Sequence, residues 1–73
     1  MPYVKIQVTD EGVSAEQKAM LIHETTDMLS RVLDKDPATT FVVIEEVFMD
    51  NWGVAGLPVT QYRQQHNQSS LGE

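Results

Sequence analysis

The sequence predicts an α+β fold: a single β-α-β unit with a parallel strand pair and a short C-terminal hairpin, completed by assembly into an oligomer. Three observations predict it. Residues 3–9 alternate apolar and polar side chains, the stretch from Ser14 to Asp36 carries apolar residues at helical spacing, and Phe41-Val42-Val43-Ile44 is an unbroken apolar run. Strand, long helix and strand in this order suit a parallel pair with a right-handed crossover.

In the first strand Val4, Ile6 and Val8 fall on one face and Tyr3, Lys5 and Gln7 on the other, the period of two expected of a half-covered strand. Asp10-Glu11-Gly12 breaks the alternation as a turn. Ser14 then opens a helix: its hydroxyl can cap a free backbone N–H, Gln17 can return the bond, and Glu16 suits the positive end of the helix dipole. Leu21, Met28 and Val32, with Thr25 between them, trace an apolar stripe that Ile22, Leu29 and Leu33 widen. Pro37 is expected to end the helix by disfavouring helical backbone at Asp36.

The second strand is read from Thr40 to Val47, its continuous apolar run implying cover on both faces. Asp50-Asn51 reads as a turn and Gly53-Val54-Ala55-Gly56 as a flexible segment. A short hairpin or arm is expected over 59–63. From Gln64 the residues Gln-Gln-His-Asn-Gln-Ser-Ser have nothing to bury. The expected organisation is therefore one domain over 1–63 and a polar, flexible tail over 64–73.

Core size sets the assembly. A chain of 73 residues buries little apolar surface, and chains this short lean on disulfides, metals or partners. There is no cysteine, and His23 and His66 lie far apart, so neither a disulfide nor a structural metal is expected. No glycine loop suited to phosphate is present, and no cofactor is expected. Two strands make no stable isolated sheet, and one helix covers one face only. A homo-oligomer, dimer or hexamer, is the remaining solution. The formal charge of −6 without a Lys/Arg cluster disfavours nucleic acid, and no apolar run approaches the roughly 20 residues that span a bilayer. A cytoplasmic location is the expectation, since no signal peptide pattern is visible.

Few side chains offer chemistry. His23 could pair with Asp27 one helical turn on, which reads as a surface histidine. Glu45 and Glu46 are neighbours in a strand, so they point to opposite faces and cannot share a site within one chain. Pro2 stands apart. Methionine is commonly clipped ahead of a small second residue, which would leave a secondary amine at the start of a strand. A free α-amine titrates near neutrality, and an apolar pocket disfavours its charged form. Such an amine is a usable general base.

The order Met-Pro-strand, then Ser14-Ala15-Glu16-Gln17-Lys18 opening a long helix, then a second strand and Trp52-Gly53-Val54-Ala55-Gly56, resembles the 4-oxalocrotonate tautomerase family from Pro2 to about Arg63. The resemblance implies a catalytic N-terminal proline that moves a proton in an enol or unsaturated keto acid. It also implies subunits assembled as dimers, commonly three to a hexamer, with sites at their interfaces. Trp52 matches the aromatic residue that helps form the apolar pocket around the proline, and Phe41 and Val54 are expected to line it with Trp52. Arg63 matches a basic position near the family's C-terminus. Two departures stand out: where familiar members carry arginine before the helix cap and in the second strand, this chain has Val13 and Phe41 or Val42. Those arginines hold substrate carboxylates, and an aliphatic residue has no such fork. Arg63 and Lys5 are the candidate replacements. The expected activity is a tautomerase with Pro2 as base. The alternatives are hydration, dehalogenation or decarboxylation with the same proline, or a scaffold without activity.

Overall fold

A computed structural model describes residues 1–67 of the chain. Strand β1 (Tyr3–Thr9) leads to helix α1 (Ala15–Leu33), a 3₁₀ turn at Pro37–Thr39, strand β2 (Phe41–Val47), a second 3₁₀ turn at Met49–Asn51, two short strands β3 (Gly53–Val54) and β4 (Leu57–Pro58), and helix α2 (Val59–Asn67). Strands β1 and β2 pair in parallel, in register from Tyr3↔Phe41 to Thr9↔Val47. The alternation read from the sequence is what the structure uses: Val4, Ile6 and Val8, with Val42 and Ile44, are half-buried, and Tyr3, Lys5, Gln7, Phe41, Val43 and Glu45 lie on the exposed face.

Helix α1 starts as expected. The Ser14 hydroxyl accepts from the Gln17 N–H, and the Gln17 side chain accepts from the Ser14 N–H, a complete capping box. Its end differs from expectation. The helix stops at Leu33, and Asp34 takes the left-handed conformation at φ 56°, which a short polar side chain tolerates better than most. The Ser30 hydroxyl donates to the Lys35 carbonyl across this bend. Pro37 therefore does not terminate α1. It opens the following 3₁₀ turn, capped by the Asp36 carboxylate accepting from Ala38 N–H, a place where its missing N–H costs nothing.

The buried face of α1 also differs. Thr25, Thr26, Leu29 and Ser30 are half-buried, whereas Leu21, Met28 and Val32 are 37, 43 and 67% exposed. The sequence carries a wide apolar arc, but two strands about 5 Å apart present a strip no wider than one helix. One flank of the arc is left uncovered. Among the described residues only Val59 is buried, at 5% exposure.

After β2 the hairpin falls earlier than expected. Strands β3 and β4 pair antiparallel around Ala55-Gly56, and both of these residues have positive φ, 53° and 86°. That is the pattern of a tight primed turn whose twist matches a two-strand hairpin, so Gly56 closes a turn where a flexible segment was expected. Residues 59–63, expected as a hairpin or arm, are instead the start of α2, which continues through Asn67 and so past the Gln64 boundary expected for the tail. Polar composition concealed a helix whose support is tertiary, through Val59. The tail beyond Asn67 lies outside the described residues.

Candidate active site

Pro2 sits at the open start of β1. Its carbonyl accepts from the Phe41 N–H at 3.0 Å, which ties the N-terminus to the start of β2. Pro2 is half-buried and Met1, ahead of it, is 86% exposed, so the bond that must be cut to free the Pro2 amine is accessible. Phe41 stands directly opposite Tyr3 in the ladder, and both rings are exposed, 46 and 60%. Parallel register thus puts two aromatic side chains on one face beside the chain terminus. Tyr3 was not singled out in the sequence, because its cross-strand neighbour is set by a register that no local motif encodes.

Trp52 belongs to the other end. It follows the 3₁₀ turn after β2, its N–H donates to the Met49 carbonyl and its own carbonyl accepts from Val59 N–H at 2.8 Å. Val54 is half-buried in β3 opposite Leu57. Seven register pairs separate the Pro2 end of the strand pair from the Val47 end, roughly 20 Å at the usual rise per residue. Within one chain the structure brings Phe41 to Pro2, whereas Trp52, Val54 and Arg63 belong to the segment that follows β2.

Each cationic side chain considered for substrate has a carboxylate partner. Arg63 donates from both terminal nitrogens to the two Glu11 oxygens, at 2.7 and 3.1 Å, and the Thr9 hydroxyl donates to the same carboxylate. These bonds, Arg63 first and Thr9 second, hold Glu11 down at about 2, and Glu11 in turn pushes the Arg63 guanidinium up. Lys5 meets Glu45 at 2.9 Å on the exposed sheet face, and Gln7 donates to the same oxygen. The hydrogen bond from Lys5 lowers Glu45, and the bond to Glu45 raises Lys5. Glu46, on the opposite face, pairs with Lys18 of α1 at 3.0 Å. Glu45 and Glu46 are thus separated as strand geometry requires.

His23 is exposed and lines an open groove on α1 with Leu21, Glu24, Asp27, Met28 and Arg31. Asp27, the partner considered for it, instead accepts from Arg31 at 3.0 Å. No group of three or more metal-ligating side chains occurs among the described residues, and no described helix is long and apolar enough to cross a membrane. Glu11 is a second residue that sequence reading missed. It sits 52 positions from Arg63, beyond the reach of any local pattern.

Comparison with known proteins matches this architecture throughout. A family model described as tautomerase enzyme aligns with residues 2–62, beginning at the proline. The chain is 54% identical over 65 residues to a protein of Dickeya dadantii named probable tautomerase K2, covering 89% of this chain and 97% of that one. The crystal structure of DmpI from Helicobacter pylori superposes with a TM-score of 0.81 at 37% identity, over 86% of this chain and 97% of the other. A heterohexameric 4-oxalocrotonate tautomerase from Chloroflexus aurantiacus superposes at 0.77 with 28% identity, over 86% and 100%. With the family model matched over residues 2–62 and a relative 54% identical over 89% of the chain, the chain belongs to the tautomerase family.

Proposed function

We propose that this protein is a tautomerase acting on an enol or unsaturated keto acid, with the Pro2 amine as general base once Met1 is removed. The observation that carries this reading is the position of Pro2: half-buried, at the accessible start of β1, beside Phe41 and Tyr3. The amine takes the hydroxyl proton of the enol as the carbonyl forms, and returns a proton to carbon. Nothing else is consumed, so no cofactor is required. The small-molecule substrate and the oligomer are the only partners this chemistry needs.

The pocket is completed by assembly. Pro2 and Trp52 lie at opposite ends of the strand pair, so Trp52 and Val54 reach the proline from a neighbouring subunit. The exposed apolar residues support assembly: Tyr3, Phe41 and Val43 on the sheet, and Leu21, Met28 and Val32 on α1. Burying an apolar side chain of this size typically contributes about 1.5–3 kcal/mol. The heterohexamer reported for the Chloroflexus relative is in keeping with such an assembly. Hydration and related chemistries, which call for a further acid, find weaker support because Glu45 and Glu46 are both engaged in ion pairs.

The test compares processed protein with a form of verified mass that retains Met1, in which the Pro2 nitrogen is an amide. Loss of a general base costs roughly 10²–10⁴ in rate, so the retained form should lose at least 10²-fold. Sedimentation of both forms should give at least a dimer. Equal turnover by the two forms removes the proline mechanism and leaves an oligomeric scaffold as the better reading.

A further inference from the structure

Two links tie the segment of Trp52 and its hairpin to the rest of the fold. One is the chain itself, through the 3₁₀ turn Met49–Asn51. The other is the fork of Arg63 on Glu11. Between these points the segment is a closed unit. The Ala55-Gly56 turn closes β3 on β4, Val59 N–H donates back to the Trp52 carbonyl, and Val59 is buried. Arg63 follows Val59 by four residues in α2, so the two share one helix face. The face that buries Val59 therefore also presents the guanidinium to the β1–α1 turn.

We propose that Glu11 and Arg63 are positioning residues: their two-bond clamp sets where the Trp52 hairpin stands relative to the strand pair, and thereby where Trp52 meets a neighbouring subunit's proline. The catalytic part of this inference rests on the proline reading above. Arg63 then does not serve as the substrate's carboxylate fork, because both of its terminal nitrogens already face a carboxylate. The pair is half-exposed, 51 and 38%, and exposed pairs add little to global stability. Its effect is instead on geometry. Two parallel charge-assisted bonds fix orientation as well as distance, and displacement of about 1 Å at a reacting site can cost up to 10²-fold.

Trp52 is the only tryptophan of the chain, so its fluorescence reports its own surroundings without any substrate. The experiment uses the processed, assembled protein with Glu11→Gln, Arg63→Gln, Arg63→Lys, and the reversed pair Glu11→Arg with Arg63→Glu. Emission maxima are read first, then kcat and KM with a monocarboxylate enol. Both glutamine variants should shift the emission to the red and lower kcat about threefold to tenfold with KM nearly unchanged. Arg63→Lys, which keeps the charge without the fork, should fall between. The reversed pair should return emission and kcat toward the parent, an outcome that loss of folding cannot mimic. Wild-type emission and kcat in both glutamine variants would overturn the proposal. So would a rise in KM in Arg63→Gln that Glu11→Gln does not share, because that pattern belongs to an arginine that binds substrate. A wrong proline mechanism is distinguishable: the Met1-retained protein would then keep its turnover, while the emission shifts would stand.

Discussion

The two ends of the strand pair are built differently. At the N-terminal end, Pro2 is tied by one backbone bond to Phe41, and Tyr3 and Phe41 stand exposed beside it. At the C-terminal end, the Asp10 N–H donates to Val47, Glu11 holds Arg63 with two bonds, and Val59 closes the Trp52 hairpin. One end is an open surface headed by the proline proposed as the base. The other is a cross-linked unit carrying Trp52, the aromatic residue proposed for the pocket. On the proposed reading, the difference teaches that a chain of this size can place its base simply, by beginning a strand with it. On the same reading, placing the desolvating group takes contacts between distant parts of the sequence and then a second subunit.

The open end should give the largest effect, through substrate charge. By the resemblance read from the sequence, Val13 and either Phe41 or Val42 stand where arginine is expected. Loss of a charge-assisted hydrogen-bonded pair costs about 1.5–3 kcal/mol, so a dicarboxylate dienol should be tenfold or more poorer per missing arginine in kcat/KM than a matched enol with one carboxylate or none. A phenylenolpyruvate-type compound is the comparison substrate, with Tyr3 and Phe41 offering it apolar contact. Equal kcat/KM for the two substrates would show that a cation from elsewhere in the assembly restores the clamp.

The cross-linked end should contribute through desolvation. Trp52→Ala admits water to the pocket, which favours the charged amine and raises the proline pKa. A base is active when unprotonated, so the acidic limb of the kcat/KM profile should move to higher pH. If that limb stays in place while the assembly is intact, Trp52 is not the desolvating group.

A smaller effect should follow acidification of the clamp. Glu11 sits at about 2 in the fold, below its ordinary value of 4.5. A carboxylate depressed by folding stabilises the fold above its ordinary value, and this contribution is lost as pH falls through the folded one. The stabilising contribution should therefore begin to fall below about pH 4.5, while the carboxylate stays ionised and the clamp stays closed until pH approaches about 2. Trp52 emission followed over that window should shift in the parent protein and change less in Glu11→Gln, which has no such carboxylate. Parallel curves for the two proteins would assign the shift to another group.

Much of this was legible in one dimension because its causes are local. Alternation placed Val4, Ile6 and Val8 on the covered face, Ser14 and Gln17 capped α1, and strand parity separated Glu45 from Glu46. The misses share a different cause. Helix α2 was hidden because its residues are polar and Val59 finds its cover only in the folded unit. The covered face of α1 was misjudged because the apolar arc is wider than the sheet beneath it. His23 is the surface histidine that was expected, and Asp27 pairs with Arg31 rather than with it.

The sequence by itself determined the β-α-β order, the helix start, the proline at the head of β1 and the likeness to the tautomerases, since each depends on residues a few positions apart. Only the tertiary structure decided that Arg63 is held by Glu11, that Tyr3 stands beside Phe41, and that Trp52 follows the end of the strand pair away from Pro2. These are facts of register and of chain return, and the energy of such contacts depends on distances that neighbouring residues do not set.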